Sequence, residues 1–94
     1  MSELDTQIDS LLTRIADLLT ARNWRMATAE SCTGGWIAKC CTDVAGSSDW
    51  FERAYVAYSY GAKEQMLGVS HEDLLKYGAV SEEIAWQMAT GARQ

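Results

Sequence analysis

Apolar residues recur at intervals of three and four from the start of the chain, at Leu4, Ile8, Leu11, Leu12, Ile15, Leu18 and Leu19. That period places them on one stripe of a helix running from about Leu4 to Ala21, with Arg22-Asn23 suited to its end. Arg25–Ala29 consists of weak strand formers, but its place between a helix and a glycine turn predicts a short strand. From Gly35 the helical period returns, with Trp36, Ile37, Cys40, Cys41 and Val44 on an expected buried face and Gly46 as the stop. Ser47-Ser48-Asp49 predicts a capped turn holding Trp50 and Phe51. Ala54–Tyr58 is the clearest strand, a near-continuous apolar run. Ser59 then caps a helix carrying Lys63, Met66 and Leu67, which Gly68 closes. Ser70 with Asp73 predicts a capping box, Val69 can staple to Leu74, and Gly78 ends that helix. Val80-Ser81-Glu82-Glu83 opens a last helix with Ile84, Ala85, Met88 and Ala89 expected to face inward.

Helices alternating with strands predict an α/β fold, a three-layer α/β/α arrangement around a largely parallel or mixed sheet. Only two strands emerge, too few to shelter the apolar faces of the surrounding helices. The expectation is therefore a single domain over residues 1–94 that is incomplete, truncated after the second strand and the helices following it.

Composition narrows the function classes. Thirteen acidic against eight basic residues give a net charge of -5, which argues against an extended nucleic-acid surface. A small anionic ligand stays open, because backbone N–H groups and one or two cations can hold a phosphate. No apolar run approaches membrane-spanning length and no basic flank introduces one, so neither a membrane segment nor a secretory leader is expected. Cys32, Cys40 and Cys41 lack scaffold spacing and suggest reduced thiols in a cytoplasmic setting. No cysteine or histidine spacing points to a metal.

The candidate chemistry lies in Ser31-Cys32-Thr33-Gly34-Gly35, between the carboxyl end of the first strand and the next helix, the edge where open α/β sheets bind ligands. Paired glycines free the backbone so that N–H groups can converge on an anion or a developing oxyanion. Ser31 or Cys32 suits attack on a carbonyl, Thr33 a hydrogen bond, and Glu30 either the orientation of a base or the capping of exposed N–H groups. The same stretch also reads as an ordinary polar turn. It is neither a Walker A loop nor the Gly-x-Ser-x-Gly elbow. The only histidine, His71, sits in the first turn of a capped helix where exposure is expected. A serine without histidine needs another activator, and lysine serves when burial or neighbouring positive charge favours its neutral form. Lys63 is placed for this, one helical turn after the second strand, with Tyr58 able to relay a proton or hold it. Lys39 and Lys76 are expected on the surface.

Thr28–Gly35, Gly46-Ser47-Ser48 with Trp50-Phe51, Tyr58-Ser59 with Lys63, and Gly78-Ala79-Val80-Ser81-Glu82 together resemble the CinA C-terminal domain family, over about Leu11 to Arg93. Its characterised members are nicotinamide-mononucleotide amidohydrolases. The resemblance implies hydrolysis of the carboxamide of nicotinamide mononucleotide, giving nicotinic acid mononucleotide and ammonia in pyridine-nucleotide salvage, without metal or organic cofactor. It places Ser31 as nucleophile, Tyr58 and Lys63 as partners in proton transfer, and Glu30, Thr33, Gly34 and Gly35 around the substrate. It also implies a small-molecule nucleotide as partner, no nucleic acid or membrane, and a homo-oligomer. Two departures stand out. Tyr60 occupies a position where the family commonly has a small polar residue, and the family's later glycine-rich segment is not in this sequence. Two other functions compete: a non-catalytic remnant that associates through Trp24, Trp50, Phe51, Tyr60 and Trp86, and a nucleotide-phosphate binding module without turnover.

Overall fold

In the computed structural model, which describes residues 2–94, the first helix begins at a reciprocal cap. Ser2 Oγ accepts the Asp5 N–H at 3.1 Å and the Asp5 carboxylate accepts the Ser2 N–H at 3.4 Å. The helix α1 spans Glu3–Arg22 and stops at Asn23 in the left-handed region. The strand β1 follows at Met26–Glu30, then α2 at Trp36–Thr42, a 3-10 turn at Ser47–Asp49 and the strand β2 at Phe51–Val56. Three helices complete the order: α3 at Tyr60–Leu67, α4 at His71–Tyr77 and α5 at Glu82–Arg93.

β1 and β2 pair in parallel, from Met26 opposite Phe51 to Glu30 opposite Val56. An irregularity between Met26 and Ala27 leaves Glu52 without a partner, so Ala27 stands opposite Arg53. This extra residue decides which layer each side chain enters, since a one-residue shift exchanges the faces of a strand. Phe51 packs with Leu12, Cys41 and Trp50 beneath α1 and α2. Tyr55, which four regular residues would have left on Phe51's face, packs instead with Leu67, Leu74, Ile84 and Met88 among α3, α4 and α5. The sheet is thus flanked by two separate apolar clusters, one per helical layer, in the expected three-layer order.

Local signals placed most elements within a residue or two, and the differences have physical causes. β2 starts three residues earlier than its apolar run, because Met26 N–H donates to Trp50 O at 2.7 Å and Arg25 holds the approach. The Arg25 guanidinium donates to the carbonyls of Ser48, Asp49 and Phe51 and to the Glu52 carboxylate. β2 also ends before Tyr58, because β1 has ended. α2 stops at Thr42 rather than at Gly46, whose φ of +82° serves the 3-10 turn instead. On α2 only Cys41 is fully buried, while Trp36 and Ile37 are exposed. On α5 Ile84 and Met88 face inward but Ala85 and Ala89 do not. The α4 cap is half of the expected box: Ser70 Oγ accepts the Asp73 N–H, but the Ser70 N–H and the Asp73 carboxylate both turn to the Gln87 side chain.

The molecule is a flat slab of 39 × 31 × 17 Å with a radius of gyration of 14.6 Å, against roughly 12 Å for a compact chain of this length. Its thinness leaves Leu4, Leu11 and Leu18 of α1, Trp24 and Trp86 exposed. No described helix is long and apolar enough to cross a membrane.

Candidate active site

Parallel pairing brings the carboxyl ends of β1 and β2 to one edge, and both expected reactive residues lie there. Glu30 O accepts the Ala57 N–H at 2.9 Å, the last rung of the ladder. One residue further along β1 is Ser31, and a turn into α3 is Lys63. Ser59 caps α3 by accepting the Ala62 N–H, which fixes the first turn and aims Lys63 back at the sheet. Its Nζ lies 2.9 Å from Ser31 Oγ and 2.7 Å from the carbonyl oxygen of Tyr58. Lys63 is 1% exposed. The ion pairs formed among the described residues include neither Lys63 nor Glu30.

Tyr58 therefore reaches the site through its main chain. Its carbonyl holds the lysine, one of the two roles expected of Tyr58, while its ring is 75% exposed. Tyr60, which stands where the family commonly has a small polar residue, begins α3 and is 40% exposed. His71 is exposed and lies 3.0 Å from the Glu64 carboxylate, away from Ser31. Lys39 pairs with Asp43, and Lys76 stands over the Tyr77 ring, both on the surface. All three cysteines are free thiols; Cys41 is core, and burial pushes its thiol up.

The Ser31–Gly35 turn is built from local backbone bonds. Gly34 N–H donates to Ser31 O, and Trp36 N–H to Thr33 O. Gly34 and Gly35 have φ of +62° and +97°, conformations that a side chain would strain. They shape the turn and do not line the cleft beside it. Among the described residues the N–H groups of Cys32, Thr33 and Gly35 donate to no backbone acceptor, which leaves them available to a ligand. Glu30 is among the residues lining the cleft beside the turn, but its oxygens are taken up locally. Its carboxylate accepts from the Thr33 and Thr28 hydroxyls and from the Ile37 and Ala38 N–H groups. Of the two roles its residue type left open, orienting a base or capping N–H groups, the four donors on its oxygens match the cap. Burial opposes its ionisation, yet these bonds outweigh burial and hold the carboxyl below the usual range.

A cleft of about 290 Å³ opens beside Ser31. One wall is the turn itself with Ile37, and the other is Ala79, Val80, Ser81, Ala85 and Met88 at the start of α5. This second wall was not foreseen as part of the site. Its only sequence signal was the Gly78–Glu82 motif, since the contact of α5 with β1 is long-range.

A model of the CinA C-terminal domain matches residues 8–94. The chain is 52% identical over 88 residues to the nicotinamide-nucleotide amidohydrolase PncC of Escherichia coli (strain K12), covering 94% of this chain and 53% of that protein. It is 54% identical over 78 residues to a CinA-like protein of Syntrophobacter fumaroxidans, covering 83% of this chain and 18% of that one. Among solved structures it superposes on the competence/damage-inducible protein CihA from Agrobacterium tumefaciens with a TM-score of 0.87 and 48% identity, over 90% of this chain and 52% of that one. A CinA superfamily protein from Escherichia coli gives 0.89 at 37% identity, over 98% and 53%. The chain spans about half the length of the PncC relatives. A family model matched over residues 8–94 and the same fold as CinA superfamily structures make this chain a member of the CinA C-terminal domain family.

Proposed function

We propose that this chain carries the nucleophile and base of an amidohydrolase acting on the carboxamide of nicotinamide mononucleotide, with Ser31 as nucleophile and Lys63 as base. The observation that carries the reading is the 2.9 Å contact between Ser31 Oγ and a lysine that is 1% exposed. The naming of the PncC relatives as nicotinamide-nucleotide amidohydrolases supports the substrate. The cleft's walls at Ile37, Ala79, Val80, Ala85 and Met88 can pack on the flat face of the nicotinamide ring, a pyridinium in the mononucleotide, with its amide presented to Ser31.

A neutral lysine amine has two N–H groups and one lone pair. One N–H is held by the Tyr58 carbonyl, and in the reacting arrangement the lone pair faces the Ser31 hydroxyl, 2.9 Å away. Ser31 Oγ attacks the carboxamide carbon as Lys63 takes its proton. The N–H groups of Cys32, Thr33 and Gly35, which meet no backbone acceptor, are the donors this reading offers to the oxyanion. Lys63 returns the proton to the leaving nitrogen, the C–N bond breaks and ammonia departs. Water, deprotonated by Lys63, then hydrolyses the acyl-serine ester and regenerates Ser31. The products are nicotinic acid mononucleotide and ammonia.

Ammonia release from nicotinamide mononucleotide tests this directly, comparing the chain with Ser31→Ala. Release that is equal in both removes Ser31 as nucleophile. A second reading, association with another copy of the chain, draws on the exposed Leu4, Leu11, Leu18, Trp24 and Trp86. Sedimentation velocity across a concentration series checks it, and a monomer throughout rejects it. Binding of the nucleotide without ammonia release would favour a binding module instead.

A further inference from the structure

Glu30 is the buried ionisable group that the reaction leaves unused. It is 2% exposed, and its position follows from the alternation of β1. Met26 enters the cluster beneath α1 and α2, and Ala29 enters the one among α3, α4 and α5. Alternation therefore turns Glu30 toward α2, while Ser31, the next residue, meets Lys63 on the opposite side.

Both Glu30 oxygens are doubly used. Oε1 accepts the Thr33 hydroxyl at 2.8 Å and the Ile37 N–H at 2.9 Å. Oε2 accepts the Thr28 hydroxyl at 3.2 Å and the Ala38 N–H at 2.9 Å. These donors come from the strand before the nucleophile, the turn after it and the first turn of α2. Gly35, the N-cap of α2, has no side chain and makes no side-chain cap bond. The left-handed backbone at Gly35 disfavours the serine or aspartate that usually fills that role. Glu30 supplies the missing cap from across the turn.

We propose that Glu30 is the positioning residue of the nucleophile: its carboxylate ties the Ser31–Gly35 turn to α2 and so holds Ser31 Oγ within reach of Lys63. The proposal rests on Ser31 acting as nucleophile and Lys63 as base. Glu30 makes no hydrogen bond to Ser31 Oγ or to Lys63. It acts through the geometry of the turn, and a change at Glu30 alters how often Ser31 is aligned without altering which group takes its proton.

The test is acetylation of Ser31 by p-nitrophenyl acetate in the 94-residue chain, counted by intact mass with Ser31→Ala as blank. In this step the Oγ–acetyl bond forms, the bond to p-nitrophenolate breaks, and the serine proton passes to Lys63. Glu30→Gln keeps the shape but sets an amide NH2 against two donors. Its acetylation rate should fall at least tenfold while the pH of half-maximal rate stays at the wild-type value. Thr33→Val, which deletes one donor and keeps the carboxylate, should lose rate by a smaller factor with its circular dichroism unchanged. Folded Glu30→Gln acetylated within twofold of wild type overturns the proposal, as does a displaced pH midpoint, which would mark an electrostatic role. If Glu30→Gln does not fold, Thr33→Val decides, and a wild-type rate there overturns the proposal. Wild type no faster than Ser31→Ala removes the nucleophile itself, and the positioning role falls with it.

Discussion

Gly91→Ala sets two effects against each other whose sizes can be compared from the structure. Gly91 lies on α5 where it crosses the end of α3. A Cβ built there would stand 2.0 Å from Leu67 O, 2.8 Å from its carbonyl carbon and 3.0 Å from its Cα. Carbon–oxygen contacts settle at roughly 3.3 Å, so the helices would have to part by about 1.3 Å. All three contacted atoms are backbone, so no rotamer change relieves the clash. Alanine in a helix interior is favoured over glycine by about 1 kcal/mol. Overpacking costs about 1–3 kcal/mol, and a collision between two backbones belongs at or beyond the upper end of that range. The net is a loss of about 2 kcal/mol, which for a domain of this size lowers Tm by roughly 8–16 °C. A functional effect should accompany it, because Leu67 lies one turn beyond Lys63 on the same helix. Displacing α3 by an ångström disturbs the Ser31–Lys63 contact, and misplacement on that scale can cost about a hundredfold in rate. Thermal unfolding by circular dichroism gives the first quantity, and Ser31 acetylation in the folded variant gives the second. A Tm at or above wild type refutes the packing argument. A lowered Tm with unchanged acetylation refutes the link through α3.

Three further outcomes are expected. Lys63→Met, which keeps the buried stem and removes the base, should lower the rate of ammonia release by about 10²–10⁴-fold; a loss below tenfold rejects Lys63 as the base. The Glu30 carboxyl is held below its unfolded value, so its stabilisation is present above the ordinary carboxylate range, near about pH 4.3, and fades as pH falls through the folded value. Urea unfolding should therefore show Glu30→Gln less stable than wild type by about 2–4 kcal/mol at neutral pH, with the gap closing in acid; a gap independent of pH contradicts this. Gln87→Ala leaves the Ser70 N–H, the Asp73 carboxylate and the Glu83 carboxylate without their shared partner. A loss of about 1–2 kcal/mol in the same assay is expected from those partly buried bonds, and a variant as stable as wild type would show that α4 is held by its apolar contacts alone.

How much was legible in the sequence tracks how local each cause is. The start of α3 at Ser59 and the ends of α1, α3 and α4 depend on caps a few residues away, and their residues signalled them. The start of β2 depends on Arg25 and Met26, far back in the chain, so its apolar run misplaced it. Trp36 and Ile37 fit a helical stripe, but α2 is too short and too far to one side for both ends of that stripe to reach the sheet. The Ser31–Lys63 pairing was legible because it needs only two parallel strands and one helical turn. The use of Tyr58 was not, because a main-chain carbonyl leaves no trace in residue identity. Glu30 read equally as the orienter of a base or as a cap, and only the fourfold convergence on its carboxylate favours the cap.

The dyad is specified by the sheet's register more than by the loop that bears the serine. Ser31 lies one residue past the last β1 pair and Tyr58 two past the last β2 pair. A slip of one residue in β1 would turn Ser31 toward α2 and Glu30 toward Lys63, because faces alternate. That exchange would bury a carboxylate without its four donors and leave the lysine facing an acid in place of a hydroxyl. The two apolar clusters prevent it, since the same slip would carry Met26 out of one and Ala29 out of the other. The unpaired Glu52 lets β2 serve both clusters while keeping this register at the functional end. Substitutions that weaken either cluster should therefore misalign Ser31 before they unfold the chain, with acetylation lost at lower urea than the circular dichroism signal. Coincident loss of the two signals would place the control of the dyad back in the turn.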